Sequence, residues 1–357
     1  MRTLIAVFLL VVLPLFASAD SHNFQRMASG LDEPWALAFL PNGQFLITER
    51  GGKLLLFDAA GKSRAVRQVP RVYVNGQGGL LDVVVSANFA ANGLIYLSYA
   101  KKLSGGRAGT AVTRARLDVA NARLRDVAEI FVMDTPSSGG RHFGSRIVEA
   151  RDGSLFVTLG ERGDRPLAQD NSTHNGTVIR ITQKGAPHPA NPNLGGLPEI
   201  WSYGHRNAQG AALDRNGQLY VVEHGARGGD EVNRVRKGAN YGWPVISYGR
   251  HYSGLKIGEG QVKAGMEQPQ FYWDPSIAPS GLAIYSGKAN AAWAGDFLVG
   301  SLKFDMISRL KQKGGKMVEV ERIAAPQTER VRDIREAPDG SIWFLSVGQG
   351  AAYRFMP

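Results

Sequence analysis

The sequence contains no cysteine. Disulfides, thiolate zinc sites, cysteine nucleophiles and iron–sulfur ligation are excluded together, so any metal must be held by oxygen or imidazole. Histidine is also scarce, at 7 of 357 residues, and no His-Glu-x-x-His or close His pair occurs, which removes the usual histidine zinc motifs. Beyond the N-terminus no apolar run approaches the ~20 residues that span a bilayer. No stretch of ~15 residues after it keeps a clean helical period.

At the N-terminus, Arg2 precedes an apolar run from Leu4 to Phe16, and Ala17-Ser18-Ala19 supplies the small-x-small pattern of a signal-peptidase site. Residues 1–19 are therefore predicted to be a removed signal peptide, leaving 20–357 as one domain that is periplasmic or secreted. Export changes the meaning of the net charge of +11. Nucleic acid is not an expected partner of an exported protein, so the excess of Lys and Arg suits an anionic small ligand, a membrane surface or a generally basic solvated exterior.

Glycine is plentiful, with 44 residues, and short β-branched and aromatic segments alternate with glycine turns. One phrase recurs, a turn with Asn-Gly or Asp-Gly followed at once by a hydrophobic strand: Asn42-Gly43, Asn92-Gly93, Asp152-Gly153, Asn216-Gly217 and Asp339-Gly340, with a weaker copy at Gly295-Asp296. Asn-Gly and Asp-Gly provide the positive φ that tight strand-to-strand turns demand. The six copies lie roughly 45–80 residues apart, an interval that fits a four-stranded blade with loop insertions. The predicted fold is all-β, a six-bladed propeller of four-stranded antiparallel blades; a β-sandwich would show shorter, more even spacing.

In a propeller the chemistry belongs to the loops. Gly139-Gly140-Arg141-His142-Phe143-Gly144-Ser145-Arg146 carries a glycine-flanked histidine, suited to general-base work or to a structural role. Trp201-Ser202-Tyr203-Gly204-His205-Arg206-Asn207 sets an aromatic pair beside adjacent Arg and Asn, forked donors for an anionic or carbonyl-rich ligand. Glu223-His224-Gly225-Ala226, Asp230-Glu231 and Asn240-Tyr241-Gly242-Trp243-Pro244 combine acids, amides and glycine-freed carbonyls, the ligand types of a hard cation such as Ca²⁺. Lys303 and the pair Arg330 and Arg332 come late; in an extended segment an Arg-x-Arg points both guanidinium groups to one side. Gln77 stands on a loop of glycines, Gly76 to Gly79.

The order of these phrases from about Leu31 onward resembles the soluble quinoprotein glucose and aldose sugar dehydrogenases, which bind pyrroloquinoline quinone (PQQ) and calcium. The resemblance implies a six-bladed propeller that oxidises aldoses at C1 to lactones. By position it makes His142 the base that removes the anomeric hydroxyl proton while hydride passes to the quinone, with Arg206 and Asn207 near the reactive quinone carbonyl. Gln77, Lys303, Arg330 and Arg332 match cofactor-binding positions. The main-chain carbonyls of Gly225 and Ala226 match ligands of the catalytic Ca²⁺, and the Glu231 carboxylate and Tyr241 carbonyl match a second, structural one. Ala226 stands where many members have Pro, and Arg141 with Glu161-Arg162-Gly163-Asp164 looks like the broad-specificity aldose branch. The implied partners are an aldose and a quinone or soluble redox carrier, and the implied assembly is a monomer or homodimer. Two other readings fit the architecture: a calcium-dependent lactonase, which needs a carboxylate cage in the channel, and a non-catalytic sugar-binding propeller.

Overall fold

The computed structural model describes residues 22–135 and 137–357; the predicted signal peptide lies outside them. Six four-stranded antiparallel sheets follow one another along the chain. The first comprises Pro34–Phe39, Phe45–Glu49, Lys53–Phe57 and Ser63–Ala65. Leu80–Val85, Leu94–Lys102, Ala108–Asp118 and Arg123–Val132 form the second. Gly144–Glu149, Leu155–Leu159, Thr177–Ile181 and Ile200–Tyr203 form the third. The fourth contains Ala208–Leu213, Leu219–Glu223, Asp230–Arg234 and Phe271–Trp273. The fifth contains Pro279–Ile284, Phe297–Ser301, Met306–Lys313 and Lys316–Ala324. Val331–Glu336, Ile342–Ser346 and Ala351–Phe355 make three strands of the sixth, and Gln25–Ala28 from the other end of the chain supplies its outermost strand.

The first strand of each sheet packs against the first strand of the next, and the ring closes between the sixth sheet and the first. The six-bladed propeller expected from the turn repeat is therefore what the chain forms. All six copies of the repeat join the first strand of a blade to its second. Gly43, Gly153, Gly217 and Gly340 sit at φ of 80°, 80°, 82° and 86°, and main-chain bonds such as Leu40 N to Gln44 O, 2.8 Å, and Ala150 N to Ser154 O, 2.8 Å, close the turns. The second strands Phe45–Glu49, Leu155–Leu159, Leu219–Glu223, Phe297–Ser301 and Ile342–Ser346 are buried throughout, because each is covered by the blades on both sides.

The opposite ends of the inner strands are irregular. Each of the six carries a register shift near its start, between Pro34 and Ala36, Leu80 and Val83, Gly144 and Ile147, Ala208 and Gly210, Pro279 and Leu282, and Val331 and Asp333. Such bulges re-aim side chains at the rim of a sheet. At this end the connectors entering each blade and the loops following each second strand come together.

Below that rim four charged side chains form a network. Arg146 Nη1 lies 2.8 Å from Asp82 Oδ1 and 3.2 Å from Asp333 Oδ1, and Arg335 reaches Asp82 Oδ1 through Nη2 and Asp333 Oδ2 through Nε, each at 3.1 Å. Arg146, Asp82 and Asp333 are at most 1% exposed. The carboxylates also accept main-chain bonds from Leu37, Val83 and Ile147, so the network ties the first, second, third and sixth blades together. Among the described residues no helix is long and apolar enough to cross a membrane.

Candidate active site

His142 ends the connector into the third blade. Its backbone is left-handed, φ 56°, a conformation that costs free energy in a non-glycine residue and needs outside support. Support comes from three directions. Gln77 Oε1 accepts the His142 main-chain N–H at 2.7 Å. Arg162, 1% exposed, lies with its guanidinium carbon 3.4 Å from the Phe143 ring centroid and donates to the Arg141 and Gly139 carbonyls. Gly160 admits the His142 carbonyl where any Cβ would stand 1.8 Å from it.

The imidazole itself meets Glu161: Nδ1 to Oε1 is 2.5 Å, and the carboxylate is buried. A neutral imidazole that donates to a carboxylate carries its proton on Nδ1, which leaves Nε2 basic. Burial holds the His142 pKa below the ordinary histidine value, the Glu161 hydrogen bond pulls it up, and the Arg206 charge adds to the lowering. His142 is thus set to be neutral at physiological pH.

Arg206 and Asn207 close the connector into the fourth blade, and both are buried. Arg206 donates from its main-chain N to Glu223 Oε2 at 2.8 Å and from Nη1 to the His224 carbonyl at 3.2 Å, and its guanidinium lies 5.2 Å from the Trp243 ring centroid. Its main-chain carbonyl accepts the Glu161 N–H, which couples the two loops. Asn207 Oδ1 accepts the Gly144 N–H at 3.1 Å. Four polar atoms in this cluster are buried without a partner: Arg206 Nε, Asn207 Nδ2, Trp243 Nε1 and Glu161 Oε2. Three of the four are donors, and buried donors of this kind call for a ligand rich in acceptors.

Cations gather on the far side. Arg332 stands on the sixth blade's inner strand and donates from Nη1 to Gln209 Oε1 at 2.7 Å, above Trp35. Burial pushes its pKa down to about 9, with the positive charges of Arg330 and Arg146 adding to the shift. Arg330 and Lys303 are exposed at the same rim; Arg330 Nη1 donates to the Leu302 carbonyl at 3.1 Å. The Arg330 charge acts on Arg332, but the segment is not the extended one the sequence suggested. Arg330 is left-handed, φ 51°, held by Asp305 Oδ1 on its main-chain N–H, so the segment before Val331 is not extended.

Gly225, Glu231 and Tyr241 line one cavity of about 20 Å³, with Glu223, Gly204 and Ile246 among its other walls. That is room for a single ion or water. Burial, with the neighbouring Glu223 charge adding to it, raises the Glu231 pKa to about 8; two carboxylates beside one hollow are the condition a cation relieves. Gly225 must be glycine, since a Cβ there would lie 2.2 Å from the Gly228 carbonyl oxygen. Ala226, in the turn beside it, is buried. Among the described residues no three His, Asp or Glu side chains are grouped to hold a metal, so a cation at this rim would rest on main-chain oxygens and single carboxylates.

One expectation from the sequence is not met, and a histidine of the same phrase is structural. Trp201 packs on Phe156 and Arg180 instead of Arg206; Trp243 takes that place. His205 is a core residue, bonded to Glu223 and Ser202 and stacked on Tyr241. Glu161, noted in the sequence only as a mark of the aldose branch, is the partner of the histidine.

A buried histidine–carboxylate pair, unsatisfied donors and a bank of cations at one mouth of a six-bladed propeller make this rim the candidate active site of an enzyme. The chain belongs to the Glucose / Sorbosone dehydrogenase family, whose model matches residues 31–354, and is an oxidoreductase. It is 42% identical over 340 residues to the aldose sugar dehydrogenase YliI of Escherichia coli K12, covering 93% of this chain and 92% of that protein. Against quinoprotein glucose dehydrogenase B of Acinetobacter calcoaceticus the identity is 28%, over 92% and 86% of the two chains. The soluble aldose sugar dehydrogenase of E. coli in its apo-form superposes with a TM-score of 0.89 at 41% identity, covering 93% and 98%. The PQQ-bound form of the Streptomyces coelicolor aldose sugar dehydrogenase gives 0.77 at 28%, covering 92% and 95%.

Proposed function

We propose that the protein oxidises aldoses at C1 to the corresponding lactones, with PQQ as hydride acceptor and Ca²⁺ as its Lewis acid. The observation that carries this reading is the His142–Glu161 pair placed beside the unpartnered donors of Arg206 and Asn207. When bound, PQQ supplies a quinone carbonyl that takes up the hydride, and Ca²⁺ polarises that carbonyl. Lys303, Arg330 and Arg332 would hold the cofactor's carboxylates, which suits charge-assisted contacts at a partly buried rim. Asn207 Nδ2 and Arg206 would donate to it, and Gln77 would border it.

His142 Nε2 removes the proton of the C1 hydroxyl as the C1–H pair departs, and the product is the lactone. Glu161 stabilises the imidazolium that forms. The Gly225 and Ala226 carbonyls would hold the catalytic Ca²⁺, and the Glu231 carboxylate with the Tyr241 carbonyl a structural one beside it. The lactonase reading needs an acidic cage in the channel, whereas Asp82 and Asp333 are both neutralised there by Arg146 and Arg335. The place of work follows from residues 1–19, read as a signal peptide: outside the cytoplasm, with a quinone or soluble carrier taking the electrons onward from a monomer or homodimer.

The test is reconstitution of purified apoprotein. Dye reduction dependent on an aldose should appear only when PQQ and Ca²⁺ are added together. Full activity in EDTA without added quinone would overturn the proposal.

A further inference from the structure

Arg50 follows the second strand of the first blade, in the kind of loop that supplies Glu161, Gly225 and Lys303 in later blades. Its Nη1 donates to two carbonyls, Gly76 O at 2.8 Å and Gly78 O at 3.1 Å, and Nη2 pairs with Glu33. These two carbonyls flank Gln77. The Arg50 main chain is equally engaged: its carbonyl accepts the Leu80 N–H at 3.0 Å, and a Cβ on Gly79 would stand 2.0 Å from that oxygen.

Besides Arg50, the loop is held by main-chain bonds only at its ends, Gly78 N to Asn75 O at 2.9 Å and Ala100 N to Gly79 O at 2.8 Å, and by its bonds to the histidine connector. Three of its members are glycines, Gly76, Gly78 and Gly79, which have no side chains to pack and the widest backbone freedom. Yet this loop meets the histidine connector at close range. Gln77 Oε1 accepts the His142 N–H and Gln77 N donates to Gly140 O, both at 2.7 Å, while a Cβ on Gly76 would lie 2.3 Å from the Gly140 oxygen. His142 is left-handed and relies on such neighbours.

We infer that Arg50 is a positioning residue, clamping the Gly76–Gly78 loop so that Gln77 holds His142 in its working conformation. The inference rests on His142 being the base. It has a readout independent of turnover, amide hydrogen exchange in unliganded protein.

In Arg50→Ala, residues 75–79 and 139–143 should exchange about tenfold faster, as local opening becomes easier, with the blade strands unchanged. Unchanged exchange in both loops would overturn the inference. In PQQ- and Ca²⁺-loaded protein the same variant should lose about 10- to 100-fold in kcat through misplacement of the base, with KM for the aldose nearly unaltered. Gln77→Ala should show a similar loss, and the double variant should lose no more than the greater single one, since both act through one path. Multiplying losses would count against it. Arg50→Lys keeps the charge but lacks the planar fork, so it should fall between wild type and alanine; it also stands in if the alanine variant folds poorly. Wild-type protein without PQQ-dependent activity would sink the proposed function, while the exchange data would still judge the clamp.

Discussion

Glu161 and His142 share a single hydrogen bond of 2.5 Å between Oε1 and Nδ1, and this contact decides which imidazole nitrogen can act. Glu161→Gln retains an acceptor for Nδ1–H but removes the charge that supports imidazolium. kcat should fall by about 10²-fold, within the range of general acid–base contributions. Because the carboxylate raises the His142 pKa, its loss should also move the acid limb of the kcat profile to lower pH. A limb that stays in place would show the carboxylate to be electrostatically idle.

His142→Gln separates turnover from architecture. The side chain lies on a connector rather than in a blade, so thermal midpoint and PQQ affinity should stay close to wild type while kcat drops ~10²–10⁴-fold. In the wild type, activity should rise with pH through one ionisation below the usual histidine value of ~6.5 and then level off, since burial lowers this pKa and the neutral ring is the working form. A normal kcat in folded, cofactor-loaded His142→Gln would remove the assignment.

Arg332 and Arg330 give a binding prediction. Alanine at either position should weaken PQQ by ~1.5–3 kcal/mol, the scale of a charge-assisted hydrogen bond, read as a Kd shift by fluorescence titration. Arg332, partly buried and bonded to Gln209, should show the larger loss because its geometry is fixed before the ligand arrives. Equal affinity in both variants and wild type would return the pair to solvent.

Asp82 tests the channel. Asp82→Ala strips Arg146 and Arg335 of a shared carboxylate in a site where Arg146 is 1% exposed, and breaking a buried ion pair from one side costs ~3–5 kcal/mol. The denaturation midpoint should fall accordingly, and a loss below ~1 kcal/mol would mean that water replaces the carboxylate.

Local chemistry was readable from the sequence. The six turn phrases needed only their own residues to announce themselves, because Asn-Gly and Asp-Gly carry their backbone preference wherever they stand, and each proved to lie between a blade's first two strands. What depended on distant pairing was hidden. Asp82 and Arg335 meet across most of the chain length, and nothing near either residue foretells the other. Glu161 sat in view just after a strand and a glycine, yet its role appears only once Gly160 lets the third blade's loop close on His142. The same limit misassigned Trp201: adjacency in sequence suggested contact with Arg206, whereas Trp201 is the unpaired residue of a bulge between Ile200 and Ser202, and a bulge re-aims its side chain.

The charged network below the rim has a kinetic consequence. Asp82, Arg146, Asp333 and Arg335 link the first, second, third and sixth blades beneath the mouth that holds His142, so under the proposed chemistry sugar, lactone and electron acceptor would all reach the cofactor through that mouth. Under the proposed chemistry the lactone must leave before the acceptor can approach. Steady-state rates should then follow a ping-pong pattern, with parallel double-reciprocal lines, and each substrate at high concentration should inhibit by occupying the form of the enzyme meant for the other.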